Sequence, residues 1–406
     1  MRKVVVAACF LVLVLGSLSP SFLAAKPQEP QSFVTPSPIV QASNQFTLDL
    51  YARFRTQPGN LIFSGFNVST ALAMAHAGAR GQTASQMAKV LHFPQDRTNL
   101  DRDLGKLLKT LRSRPKVTLE LANALWGQKG YPFRKDLLDR LRTSYHAPLN
   151  QVDFANNPGD AQRRMKSWVA RHTGNQIRDF NIPVDNLTRF TITSAIYFKG
   201  SWMTRFEKGS TRDEDFTIAP GKTVKVPMMH CREGLFAVAH TDDCTAVALP
   251  YVGNDLAMVV LLPNDPDGLA RLETSLTVEG LSKTLSALKP AYGEGAMPRF
   301  TIRRSFSLSK ELAAMGMSDA FDPERADFSG IAGRDQPLSL QFVEHEAFIV
   351  VDETGTKAAA VTGVGFCAAS TVSQAFRIDR PFLYLIGDMK TGTILFMGRI
   401  LDPTQS

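Results

Sequence analysis

The sequence predicts an α+β fold in which helices pack around large sheets, on three observations. Stretches with helical apolar spacing concentrate in the first half of the chain, and runs rich in β-branched and aromatic residues concentrate in the second. No internal repeat is present. With 44% apolar and 21% charged residues over 406 positions, the chain has ample material for a core and is not a disordered polymer.

Met1-Arg2-Lys3, the apolar run "VVVAACFLVLVL" and small residues through Ala24-Ala25 read as a secretory signal over about 1–25, so the mature protein is expected to be secreted, extracellular or periplasmic. The run is shorter than the roughly 20 apolar residues that span a bilayer, so no stable membrane anchor is expected. Without Arg2 and Lys3 the formal charge falls from +8 to +6, a mild cationic bias. The stretch "KPQEPQSFVTPSP", 26–38, is a Pro-rich spacer. Helical pattern begins near Val40 and opens a single domain over 39–406. Leu100, Leu104, Leu107, Leu108 and Leu111 share one helical face, as do Met165, Trp168, Val169 and His172. The runs "VTLELANALW", "RFTITSAIYF", "AVALPY", "AMVVLLP", "FIVVD" and "TILFMGRI" read as strands.

The chemistry of enzymes is missing from these elements. There is no Gly-rich phosphate loop and no dinucleotide fingerprint, and "GMSDA" at 316–320 lacks the second glycine of a nucleophile elbow and follows a helical stretch. The histidines are scattered, and His230-Cys231 has no partner at a metal-ligand spacing, so neither metal nor cofactor is expected. Basic residues in "LGKLLKTLRSRPK" and "RRMKSWVARH" fit a solvated helix face, with weak polyanion binding as the functional alternative and no specific nucleic-acid binding. Cys231, Cys244 and Cys367 remain after the signal, an odd number. "LFAVAHTDDCTAVALPY" reads as a hairpin turning near Asp242-Asp243, which separates Cys231 from Cys244, so free thiols are expected and a disulfide is the lesser alternative.

The stretch "VVDETGTKAAAVTGVGFCAASTVSQAFRIDRPF", 350–382, has small, weakly polar residues and no helical stripe. As a strand it would put Thr356, Ala358, Ala360 and Thr362 on one face, small enough to slide over a packed core.

That segment resembles the reactive-centre loop of the serpins, suicide inhibitors of serine and some cysteine proteases. The resemblance runs from about 40 to 403 through "NLIFSGFNVSTALAMAHAGARGQTASQM", "LANALWGQKG", "AIYFKGSW", "KTVKVPMMH", "PRFTIRR", "DAFDPERADFSGI", "VEHEAFIVVDETGTKAAAVT" and "RPFLYLIGDMKTGTILFMGRI". It implies the serpin fold, helices around large mixed β-sheets with an exposed reactive-centre loop at about 354–380. The implied function is cleavage of that loop by a target protease, followed by insertion of its hinge as a new strand that traps the acyl-enzyme in a covalent complex. The implied protein is a monomer and not an enzyme. The alternative is a non-inhibitory member acting as carrier, chaperone or storage protein; such members typically carry bulky, charged or proline residues in the hinge, which this chain lacks.

The same resemblance assigns residues. Glu353, Gly355, Thr356, Ala358, Ala359, Ala360 and Thr362 form the hinge, with Lys357 replacing a usual acidic residue. Counting sixteen positions from Glu353 places the reactive bond at Ala369-Ser370, whereas counting back from Pro381 places it at Ser370-Thr371. Either small bait residue suits an elastase-like or subtilisin-like pocket. Phe366 would fill a secondary pocket, with a chymotrypsin-like cut after Phe366 as runner-up. Trp202, Arg299 and Glu353 belong to the loop-entry region, and Ser64, Asn67, Ser194 and His345 to a mid-sheet gate. Asn67 and Ser194 exchange the family's usual serine and asparagine, and Gly65 replaces a usual proline, which is expected to loosen the helix start at Ser64.

Overall fold

The computed structural model describes residues 34–94, 99–114, 116–147, 149–356 and 372–406. The strands are β1 (Leu61–Phe63), β2 (Val117–Gln128), β3 (Leu149–Val152), β4 (Phe190–Ser201), β5 (Arg212–Ala219), β6 (Lys222–His240), β7 (Cys244–Pro250), β8 (Leu256–Pro263), β9 (Lys289–Pro298), β10 (Phe300–Ser307), β11 (Val343–Asp352), β12 (Gly355–Thr356), β13 (Val372–Ser373), β14 (Phe376–Arg377), β15 (Phe382–Asp388) and β16 (Thr393–Ile400). The α-helices are α1 (Pro38–Phe54), α2 (Gly65–His76), α3 (Gly81–Val90), α4 (Leu100–Arg112), α5 (Lys135–Arg140), α6 (Pro158–His172), α7 (Leu269–Ser275), α8 (Val278–Ser286) and α9 (Ser309–Leu312).

Local sequence accounts for the helices. α1 opens on Pro38, where a missing N–H costs nothing. α4 buries Leu100, Leu104, Leu107, Leu108 and Leu111, and its Asp101, Asp103, Lys109 and Arg112 sit at the ends the helix dipole favours. α6 is capped by Asn157, whose side chain accepts from the Asp160 N–H, and it buries Met165 and Val169. Trp168 stands edge-on to Trp126 at 5.7 Å, while His172, expected on the same face, lies exposed in the last turn, stacked on Trp168. α2 is buried along its whole length and bridges the sheets, touching β2 and β4 on one side and β16 on the other.

Among the described residues the strands form a ten-stranded and a six-stranded sheet. The larger runs β1-β16-β15-β8-β7-β6-β9-β13, with β5 paired to β6 and β14 to β9. The smaller runs β10-β11-β12-β4-β2-β3. A continuous apolar core joins both sheets, and a second cluster around Trp126, Phe154, Met165, Val169 and Phe180 lies under α6 and the segment that follows it. The β6–β7 hairpin holds Cys244 beside its turn and Cys231 well up β6. Both are buried free thiols, and burial pushes both up, Cys231 to about 11. Among the described residues no helix is long and apolar enough to cross a membrane.

Candidate functional site

The middle of the six-stranded sheet is a parallel seam. β11 and β4 pair from Val343 opposite Ile192 to Phe348 opposite Tyr197, with antiparallel neighbours β10 and β2 outside them. Beyond Phe348 the two strands part, and β12 lies between them, antiparallel to both. Thr356 faces Val351 and Gly200, and Gly355 faces Asp352 and Ser201.

Halfway along the seam, α2 turns its N-terminus to the sheet. The Ser64 hydroxyl caps it, accepting from the Asn67 backbone N–H at 3.0 Å. The Ser64 N–H in turn donates to Nε2 of His345 at 3.0 Å, which makes Nε2 the bare nitrogen and leaves the proton on Nδ1. Nδ1 faces the Ser194 hydroxyl at 3.1 Å and the Ser194 carbonyl at 3.0 Å. Burial pulls His345 down to about 4, against the lift from the Ser194 backbone, so this imidazole is neutral. The Asn67 side chain takes no part in the cap. Its amide donates to the Ser194 hydroxyl at 2.9 Å and to the Ala195 carbonyl at 3.0 Å, tying helix to strand, and it meets His345 through Ser194 rather than directly. Asn123 of β2 completes the group, donating to the Asn67 carbonyl at 3.0 Å.

Gly65 at this helix start is closely packed. A Cβ there would stand 2.3 Å from the Thr47 hydroxyl and 2.7 Å from the Thr47 Cα, so the glycine marks the line where α1 presses against α2.

At the upper end of the seam the chain makes a tight turn into β12. Asp352 Oδ1 accepts from the Thr354 and Gly355 N–H groups at 2.8 and 3.2 Å. Gly355 has φ +145, and a Cβ there would lie 2.1 Å from the Gly200 carbonyl, so only glycine fits the slot. The Trp202 indole N–H donates to the Asp352 carbonyl at 2.9 Å. Arg299 meets Glu353 at 2.6 Å, and Thr211 donates to the same carboxylate oxygen at 2.8 Å. Burial pushes the Glu353 carboxyl up, but its own backbone N–H, Thr211 and Arg299 together hold it below the ordinary value. Thr356 is fully buried, and its hydroxyl pairs with the Tyr251 hydroxyl at 2.8 Å. The Tyr251 ring stacks on Trp202 with centroids 4.6 Å apart.

The chain rejoins the ten-stranded sheet at β13 and β14, both parallel to β9. Arg377 anchors this end on Glu214 at 2.6 Å, and Glu214 also meets Arg212 and His230 at 2.5 and 2.9 Å. Burial pushes Glu214 up, but these partners pull it down to about 2.

The structure therefore brings Trp202, Arg299, Glu353, Gly355 and Thr356 into one cluster and Ser64, Asn67, Ser194 and His345 into another. Lys357, Ala358, Ala359, Ala360, Thr362, Phe366, Cys367, Ala369, Ser370 and Thr371, like the signal over 1–25, lie outside the described residues. Tyr251, Thr211, Asn123, Glu214 and Arg377 are residues that sequence reasoning missed. Only Tyr251, ending an apolar strand on a hydroxyl, left a faint signal.

A family model described as Serpin (serine protease inhibitor) matches residues 41–403. The chain is 39% identical over 373 residues to an uncharacterized serpin-like protein of Thermococcus kodakarensis, covering 90% of this chain and 86% of that protein. It is 36% identical over 380 residues to the leukocyte elastase inhibitor of Bos taurus, covering 89% and 98%. Serpin48 of the insect Tenebrio molitor superposes with a TM-score of 0.79 at 30% identity, covering 90% of this chain and 98% of that one.

Proposed function

Because the chain belongs to the serpin family, we propose that it is a suicide-substrate inhibitor of serine proteases, with cysteine proteases of the same acyl chemistry as a second target class. The protease nucleophile adds to the carbonyl of Ala369, and the Ala369-Ser370 bond breaks. The Ser370 amine leaves with a proton from the protease's general acid, and the Ala369 acyl group stays bound to the enzyme. The freed arm, from Lys357 onward, then continues β12 down the seam, drawing the enzyme with it before water can release the acyl group.

The observation that carries this reading is β12, whose two residues lie in register between β11 and β4 and antiparallel to both. A strand extended from it would meet hydrogen-bonding edges on both sides once β4 and β11 part. About a dozen residues at about 1 kcal/mol net per hydrogen bond give a yield on the order of 10 kcal/mol. Ala358, Ala359, Ala360 and Thr362 offer nothing bulky to oppose entry, and that argues against a carrier or storage role. Ser370-Thr371 stays as the second choice of bond, and Phe366 as a secondary contact. The target class is elastase-like or subtilisin-like, as the small bait residue suggests, and the leukocyte elastase inhibitor among the relatives points the same way. A single domain over 39–406, secretion, a monomeric state and weak polyanion binding through α4 or α6 complete the proposal.

The test is incubation with pancreatic elastase and subtilisin, followed by denaturing electrophoresis. A covalent complex that survives boiling is expected. Cleaved inhibitor alone, from every protease that cuts between Phe366 and Thr371, would show that the chain is a substrate and not an inhibitor.

A further inference from the structure

Two acidic side chains of β11 are placed where few counter-charges reach them. Glu344 and Glu346 alternate with His345, so they share the sheet face turned away from α2. There they lie beneath the 173–189 segment that follows α6, only 2% and 1% exposed. Glu344 lies opposite Ser307 of β10, and Ser307 and Asn181 of the covering segment are the polar side chains that act on its carboxyl. Its neighbour on β4 is Thr193, whose hydroxyl oxygen accepts from the Trp126 indole of β2, and among the described residues no charged group pairs with Glu344. Glu346 accepts from Ser305 of β10 at 2.9 Å and has the Arg303 guanidinium 3.5 Å away. Asp179 of the covering segment sets a like charge near it, and its neighbour on β4 is Ala195. Among the described residues, Oε1 of each carboxyl has no hydrogen-bond partner. Arg303 is divided between several tasks, since it also donates to the Gln176 carbonyl of the cover and lies 5.1 Å over the Phe348 ring.

We propose that Glu344 and Glu346 form a proton-loaded lock between β11 and the 173–189 cover, closed while they carry protons and loosened as they ionise. A protonated carboxyl suits this dry layer, because Ser307 and Asn181 can each accept as well as donate. An ionised Glu344 finds only neutral donors, and hydrating it requires the cover to lift. Burial pushes Glu344 up to about 7, against the pull of Ser307 and Asn181, and pushes Glu346 up against Ser305 and Arg303. For a carboxyl raised in the folded state, the closed form is most stable in acid and loses stability as pH rises through that value. β11 from 343 to 348 is also one bank of the seam. The consequence for loop insertion rests on the proposed function; the lock itself does not.

Deuterium exchange on the full-length protein tests it, followed by mass spectrometry of peptides covering 173–189 and 343–352. Rates are corrected for the intrinsic pH dependence of exchange. Between about pH 5.5 and pH 8.5, protection of these peptides should fall about tenfold in the wild type, and Glu344→Gln should remove most of that fall. Glu279→Gln, at an exposed carboxyl on α8, should leave it in place. If the glutamine variant misfolds, Glu344→Met serves instead. A flat wild-type profile, or the same fall in wild type and variant, overturns the lock. No protease enters the experiment, so its failure is distinct from a failure of the inhibitory reading.

Discussion

Replacing Asn67 by serine withdraws one amide that serves two acceptors, the Ser194 hydroxyl and the Ala195 carbonyl, from a site that is fully buried. A serine at 67 is too short to reach β4. The expected cost is about 1–3 kcal/mol, the usual penalty for stranding buried polar partners. Adding Ser194→Asn returns an amide to the same gap from the strand side, within reach of the new hydroxyl and still beside Nδ1 of His345, and should recover most of the loss. The assay is thermal unfolding of the two single variants and the double variant at one fixed scan rate, since unfolding of a chain this size is often irreversible. For a domain of this length each kcal/mol moves the midpoint by about 1–2 °C, so Asn67→Ser should melt a few degrees early and the double variant close to wild type. Ser194→Asn alone should crowd the intact Asn67 amide and also melt early. Strictly additive losses would show that the two positions do not share one hydrogen-bonding task, and the gate role of Asn67 would then be abandoned.

Thr356→Arg puts a charge against Tyr251 in a fully buried slot, an unpaired burial that costs several kcal/mol; insertion should slow, and more inhibitor should be consumed per protease inactivated, a ratio read by titrating a fixed amount of enzyme. His345 sits at about 4 in the folded protein and near 6.5 when unfolded. The unfolded chain therefore binds the extra proton between those values, and stability should fall by up to about 3 kcal/mol as pH drops from 6.5 to 4. Because Glu344 runs the opposite way over nearly the same range, and Glu346 in the same sense as Glu344, denaturant unfolding in a background carrying both Glu344→Gln and Glu346→Gln removes the opposing carboxyls. Gly65→Ala forces a methyl group into Thr47 and should cost about 1–3 kcal/mol; a variant that melts like wild type would mean that α1 can yield at this contact.

Much of the architecture was legible because it depends on local pattern. The leucines of α4 and the β-branched runs of β2, β4, β8 and β16 announce themselves through spacing alone. That Arg299 and Glu353 share one region was implied by the family resemblance and by no local pattern. Contacts that depend on how distant strands register were not legible. Tyr251 and Thr356 are 105 positions apart, and nothing in either neighbourhood points to the other. Gly65 read as a loosened helix start because the approach of Thr47 belongs to another helix. The run "VEHEAF" did hold a clue, since alternation in a strand covered on both sides must send its acids inward on one face and its histidine inward on the other.

The parallel joint between β4 and β11 consists of six residue pairs, and each strand on the outside of the joint is antiparallel to its neighbour. A parallel pairing is the weaker kind, and a chain entering the joint would exchange it for two antiparallel ones. β12 already stands at the mouth. On the proposed insertion mechanism, a molecule that threaded its own chain without an enzyme would also make that exchange, and the barrier to parting the joint would be what holds it back. The same mechanism would give the uncleaved form a shelf life, governed by a rate constant that rises steeply with warmth. Ion pairs such as Arg163 with Asp160 on the outer surface do not enter that barrier, whereas the Asn67 amide and the Thr356–Tyr251 hydroxyl pair do. Two variants with the same melting point can therefore age at very different speeds.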